Sequence, residues 1–176
     1  MASIARFDEW QYTNGSKVNT VIQVWNTFIT ERSLWGFATS GVTVITPMRV
    51  TITPKFASSK ILIQWMFNME SQNDISIRIY KNGALAANGT NTADSNIWSG
   101  LVSGVYDTNN DSTPSNYYIQ FTDATVGSTA STYYDIVVLS SSSTAGTVCL
   151  NRTFASAGSS AYEVTTSSAI AMEVAQ

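Results

Sequence analysis

The residues most able to do chemistry by type and spacing are Asp107, Asn109 and Asp111, which place oxygen ligands at alternate positions. An EF-hand calcium loop begins in the same way. The sixth position of such a loop would be Ser112, where glycine is needed, and the twelfth would be Tyr118, where a bidentate glutamate is needed. We therefore interpret this segment as a turn-rich loop, with weak calcium binding as the alternative, and predict no metal site.

Catalytic residue types are scarce in the rest of the chain. It contains no histidine, which removes the commonest general base, the commonest zinc ligand and every Ser-His or Cys-His nucleophile pair. Its single cysteine, Cys149, lies in the alternating segment GTVCLNRT and is interpreted as a sheet residue. The twelve acidic residues follow no recognisable motif. The sequence therefore predicts a protein that is not an enzyme, without catalytic or cofactor-binding residues and without a cofactor.

The charge composition of the chain argues against two classes of binding partner. Charged residues make up only 12% of the chain, the net charge is −3, and no basic run is present. The sequence has no cluster of basic residues that could bind a phosphate backbone or an anionic membrane. We therefore predict no nucleic-acid and no membrane partner. The N-terminal segment carries Arg6, Asp8 and Glu9 and lacks the apolar core of a secretory signal, so we expect a protein made in a cytoplasm.

Apolar residues alternate with polar ones along much of the chain, which is typical of strands with one buried face. The inward set is predicted to be Ile61, Ile63, Trp65, Phe67, Ile75, Ile77 and Ile79. Strands are expected near 18–30, 42–53, 60–69, 74–81, 84–88, 96–106, 116–123, 131–139, 146–153 and 161–174. Because strand follows strand without a helical pattern, we predict an all-β, antiparallel, jelly-roll-like β-sandwich in a single domain.

Two further patterns refine this prediction. Pro47 and Pro54 belong at strand ends or on an edge, with a bulge suggested near Pro47, because proline cannot donate to a ladder. Near the C-terminus, Ile170 and its alternate neighbours share one face of a strand, while Ala169 and its alternate neighbours share the other. The chain is therefore expected to end inside a sheet.

Aromatic residues crowd the N-terminal part of the chain. We divide the chain into an aromatic-rich extension, residues 1–17, and a sandwich domain, residues 18–176. Either the aromatic segment from Phe7 to Phe37 covers the sandwich, or it presents apolar surface to a partner. The candidate partner-contact residues are Phe7, Trp10, Tyr12, Trp35 and Phe37.

Several strings together resemble a β-sandwich domain of structural proteins in tailed bacteriophages. They are ITPKFASSKILI (52–63), IYKNG (79–83), YYIQFTDA (117–124), STYY (131–134), Asn151-Arg152 and IAMEVA (170–175). The resemblance implies a virion component of jelly-roll type, often trimeric, and it brings no catalytic residues. No repetitive shaft or tail-attachment segment precedes the sandwich, so the chain looks more like a capsid decoration, or cement, protein than a fibre.

The resulting prediction is a non-enzymatic virion protein, made in the host cytoplasm, that stabilises the assembled phage head. Its expected partners are two further copies of itself, forming a homotrimer, and the major capsid protein. The alternative is a receptor-binding fibre or adhesin protein, with loops near 71–74, 89–96 and 107–116 recognising a host-surface glycan or protein.

Overall fold

The computed structural model describes residues 20–87, 100–104, 112–155 and 163–176. These residues form twelve β-strands and one 3₁₀ turn, Thr46–Met48. The strands are β1 (Val21–Ile29), β2 (Ser33–Phe37), β3 (Thr43–Val44), β4 (Val50–Ile52), β5 (Lys60–Ser71), β6 (Ile75–Lys81), β7 (Ala84–Ala87), β8 (Val102–Gly104), β9 (Ser115–Asp123), β10 (Thr132–Ser140), β11 (Gly146–Leu150) and β12 (Ser167–Val174).

The strands form two antiparallel six-stranded sheets. In the first sheet, β9 lies along one side of the long strand β5, while β12 and then β11 lie along its other side. Strand β1 completes this sheet beside β12, and β2 completes it beside β11. In the second sheet, β10 and β6 are central, with β3 and β4 beyond β10 and with β7 and β8 beyond β6.

This order is that of a jelly roll. The pairs β3–β4, β7–β8 and β11–β12 each act as one interrupted strand, because both members lie along one neighbour, which is β10, β6 or β5 respectively. Strands β1 and β2 form a fourth interrupted strand, because β1 lies along β12 and β2 lies along β11. When each interrupted pair is counted as one strand, the chain has eight long strands in sequence order. The spatial order is first, eighth, third and sixth in one sheet, and second, seventh, fourth and fifth in the other. The predicted all-β, single-domain, antiparallel sandwich is confirmed.

The core lies between the two sheets and contains the whole predicted inward set, each member with no exposed surface. Trp65 is its largest side chain, and its indole Nε1–H donates to the Met48 carbonyl at 2.9 Å. Phe67 stacks on Tyr117 with ring centroids 5.3 Å apart. A slip of one residue in β5 would turn this set to the outside, so its burial specifies the register.

The structure differs from the sequence-based prediction in two places. Strand β2 was not among the predicted strands, although five of its residues pair with β11. At Pro47 the chain forms the 3₁₀ turn rather than a bulge, because proline fits the first turn of a helix, where its missing N–H costs nothing. Pro54 follows the end of β4, an edge strand, as expected.

A buried polar side chain, that of Asn151, connects two points in the first sheet at which a strand is interrupted. The Asn151 side-chain amide donates to the carbonyls of Ile29 and Glu31 at 2.7 and 2.9 Å, and its oxygen accepts from the Ser167 hydroxyl at 2.6 Å. Asn151 itself has a φ of +57°, a conformation that asparagine tolerates better than most residues. One fully buried side chain therefore joins the β1–β2 break to the β11–β12 break.

Candidate docking surface

The outer face of the first sheet is the candidate site, and the register defines its members. Directly opposed residues of antiparallel strands point to the same side of a sheet, so each row across β1, β12, β5 and β9 shares one face. Three such rows face outward. They are Phe28–Ser168–Met66–Tyr118, Asn26–Ile170–Gln64–Gln120 and Val24–Met172–Leu62–Thr122. We call these twelve residues the docking face.

Steric pairing on the inner side explains why large apolar residues lie outside. On the inner face Ala169 lies opposite Trp65, and Ala171 lies between Trp25 and Ile63. These small residues leave room for the large rings, since interiors are close-packed and tolerate little excess volume. The alternate residues of the same strand, Ile170 and Met172, are therefore turned toward the outside.

The docking face combines exposure with an absence of charge. Four of its apolar side chains are markedly exposed: Phe28 (73%), Val24 (61%), Tyr118 (58%) and Met66 (49%). None of its twelve residues is Asp, Glu, Lys or Arg. Aromatic and methionine enrichment with depletion of charge is typical of the centre of a protein–protein interface. Several large exposed apolar side chains on one uncharged face are typical of an interaction site.

Polar residues in the middle row give the docking face hydrogen-bonding capacity. The Gln64 Nε2 lies 3.5 Å from the side-chain Oε1 of Gln120, and the Tyr118 hydroxyl lies at the same distance from that oxygen. Hydrogen bonds of this length are weak, so the two amides can exchange them for bonds to a partner. The face therefore offers apolar anchors around a neutral polar centre.

Sheet geometry gives the size of the docking face. With strands about 4.8 Å apart and a rise of about 3.4 Å per residue, four strands and five residues cover about 320 Å² before side-chain relief. This area includes the polar middle row as well as the exposed apolar side chains. It is less than half of the roughly 800 Å² that each partner of a standard interface buries, so the face would form the centre of a larger contact.

The predicted partner-contact residues lie in different environments. Phe7, Trp10 and Tyr12 lie outside the described residues, as does the predicted extension 1–17. Phe37 is only 4% exposed and belongs to the core, and Trp35 is half-buried and packs against that core. In this part of the chain, β2 is an edge strand of the first sheet and turns Phe37 into the core.

The docking face was not identified from the sequence, although one signal was available. The residues Leu62, Gln64 and Met66 alternate with the predicted inward set of β5, so their outward direction followed from that prediction. What the sequence did not provide was the pairing that brings Phe28, Ile170 and Tyr118 beside them.

Several titratable groups among the described residues are engaged in the fold. Burial raises the pKa of the Cys149 thiol to about 12, so the thiol stays protonated and is a poor nucleophile at neutral pH. Asp123 accepts a hydrogen bond from Tyr134 at 2.6 Å and pairs with Lys81 at 2.5 Å. Among the described residues, no group of three or more His, Cys, Asp or Glu side chains is placed to hold a metal ion. The 107–111 loop lies outside those residues.

Glu173 is a fully buried carboxylate with a structural role. It accepts hydrogen bonds from the backbone N–H of Lys55 at 2.8 Å and of Phe56 at 3.1 Å, and it also contacts the Gln23 amide. Burial alone would raise the pKa of Glu173, but the Ser59 hydroxyl and these donors favour the charged form, and the pKa is lowered. The carboxylate thus fastens the last strand to the 53–59 turn.

Comparison with protein-family models and with curated protein sequences gave no match for this chain. The described residues include no helix of the length and apolar character needed to cross a bilayer.

Proposed function

We propose that this protein is a non-enzymatic structural component of a tailed bacteriophage virion, a capsid decoration protein that binds and stabilises the assembled head. The observation that carries the proposal is the docking face, an uncharged surface with its largest apolar side chains turned outward. The sequence resemblance to phage structural proteins supports the virion location. A jelly roll with exposed apolar side chains on an uncharged face gains most from burying that face against other chains.

In this proposal the docking face contacts the major capsid protein. Phe28 and Tyr118 lie at opposite ends of one row, and Met66 lies between them, so the three provide anchors across the width of the sheet. Aromatic anchors usually dominate the binding energy of such interfaces, and methionine adapts its shape to the facing surface. The homotrimer remains part of the proposal, because closed symmetry is the ordinary way for identical subunits to associate.

A matched pair of lysine variants tests the docking face. Met66 and Leu85 are each 49% exposed, but Met66 lies on the docking face and Leu85 lies on β7 of the second sheet. Met66→Lys should weaken binding to undecorated heads by at least about 30-fold, since an unpaired buried charge in an interface costs about 2–5 kcal/mol. Leu85→Lys should bind as the unmodified protein does. Equal loading of both variants in a sedimentation assay would contradict the proposal.

The association state is tested separately on the purified protein. Light scattering at micromolar concentration should give three times the mass of one chain. A monomer at that concentration would remove the homotrimer from the proposal, while leaving the Met66 and Leu85 comparison as the test of head binding.

A further inference from the structure

The outer face of the second sheet carries a groove that the proposed function does not use. It lies between residues 39–42 and the outward side chains of β6 and β10, and its volume is about 360 Å³. The principal lining side chains are those of Thr39, Ser40, Val42, Arg78, Tyr80 and Leu139. This volume lies in the range of small-molecule sites, at its lower end.

The groove is held in place by the fold. The segment that forms its wall follows Phe37, which is buried in the core, and precedes Val44, which pairs with Val137 of β10. The Thr43 hydroxyl donates to the Gly36 carbonyl at 3.0 Å and fastens the two ends of the segment together. Gly41 has a φ of +89°, a conformation that favours glycine, so the turn depends on that residue. The wall is thus anchored at both ends, and the groove is largely preformed.

The chemistry of the lining suits a sugar ring. Tyr80 provides an aromatic ring, and Val42 and Leu139 extend that apolar surface, which matches the C–H face of a pyranose. Thr39 and Ser40 provide hydroxyl groups that both donate and accept hydrogen bonds. An apolar surface with a few polar groups at its edge is the usual composition of a small-molecule site.

Charge in the groove favours a neutral or negative ligand. Arg78 is the only charged residue among the described residues that line it. A guanidinium has five N–H donors, so Arg78 can donate to ligand oxygens in addition to its contacts within the chain. The nearest carboxylate on this face of β10, Asp135, forms a two-point pair with Arg49 at 2.7 and 3.0 Å. That acid is therefore already neutralised by its own arginine.

We propose that this groove binds a pyranose unit of a saccharide. The inference goes beyond head decoration, because it gives the second sheet a recognition role on the side opposite the docking face. It also supplies the chemistry that the alternative function, recognition of a host-surface glycan, requires. It differs from that alternative in position, since the groove lies on a sheet face beside residues 39–42 and not at the 71–74 loop.

The test is a titration of the purified full chain followed by amide chemical shifts. The probes are the methyl pyranosides of glucose, galactose, mannose and glucuronic acid at millimolar concentration. We expect saturable shifts of residues 39–42, 78–80 and 139–140 with at least one probe. No saturable shift with any of them, or shifts confined to other regions, would overturn the proposal.

Variants of the groove sharpen the test. Tyr80→Ala should weaken binding at least about tenfold through loss of the stacking surface, whereas Tyr80→Phe, which keeps the ring, should stay within about threefold. Tyr118→Ala removes an exposed tyrosine of the docking face and should leave binding unchanged. Should Tyr80→Ala fold poorly, Val42→Asp alters an exposed wall residue and should give the same loss. Unweakened binding by both Tyr80→Ala and Val42→Asp would refute the site. These titrations need no phage heads, so their outcome is independent of the Met66 and Leu85 comparison.

Discussion

Asn151 is expected to contribute far more to stability than its size suggests, because it joins the two strand breaks of the first sheet. Asn151→Ala removes three side-chain hydrogen bonds, those to the carbonyls of Ile29 and Glu31 and the one from the Ser167 hydroxyl. Each lost hydrogen bond costs about 1 kcal/mol. Alanine at a φ of +57° adds about 1 kcal/mol of backbone strain. The expected cost is therefore about 4 kcal/mol.

Asn82 offers a matched control. It has a φ of +50°, but it lies exposed in the turn between β6 and β7, and its side-chain oxygen accepts one hydrogen bond, from the Tyr133 N–H at 3.0 Å. Asn82→Ala thus carries similar strain and loses one exposed bond, which gives an expected cost of about 1.5–2 kcal/mol. The backbone strain is similar in the two variants. The difference between their losses of unfolding free energy therefore gives the contribution of the buried hydrogen bonds of Asn151.

Denaturant unfolding measures both variants on one scale. A loss of about 4 kcal/mol is a large part of the usual stability of a domain, and it should lower Tm by about 10 °C. The reasoning is refuted if Asn151→Ala costs no more than Asn82→Ala.

Three other predictions concern acid stability, register and metal dependence. The lowered pKa of Glu173 means that its stabilising effect is present above the unfolded pKa of about 4.3 and is lost as pH falls through the folded value. Melting curves from neutral to acid pH should therefore show a smaller acid-induced loss for Glu173→Gln than for the unmodified protein, and an equal loss would contradict this. Ile63→Asp should abolish folding, because it buries an unpaired charge, whereas Gln64→Asp on the docking face should fold; similar circular dichroism spectra for the two would be the contrary result. Excess chelator should leave Tm unchanged, and a large drop would reveal a bound metal that stabilises the native state.

The sandwich could be predicted from local patterns, because alternation in β5 and β6 depends only on neighbouring residues. Every member of the predicted inward set is buried, and the last strand ends inside a sheet as expected. Strand β2 was harder to recognise, since Gly36 interrupts its β-forming residues and the rings of Trp35 and Phe37 also suited a partner-facing segment.

The docking face and the groove depend on contacts between distant parts of the chain. The alternation of side chains along β12 puts Ala169 and Ile170 on opposite faces of the strand, but it does not show which face points into the core. That choice is made by Trp65, more than a hundred positions earlier, which leaves room opposite it only for a small residue. In the same way, the groove forms because residues 39–42 lie beside Tyr80 and Leu139.

The most direct test of the central claim is electron cryomicroscopy of intact virions, with the protein located in the density map. The account predicts copies on the head surface, with the row from Phe28 to Tyr118 against the capsid shell and the Tyr80 groove toward solvent. Density for the protein only on the tail, or on the head with the docking face fully exposed to solvent, would contradict it.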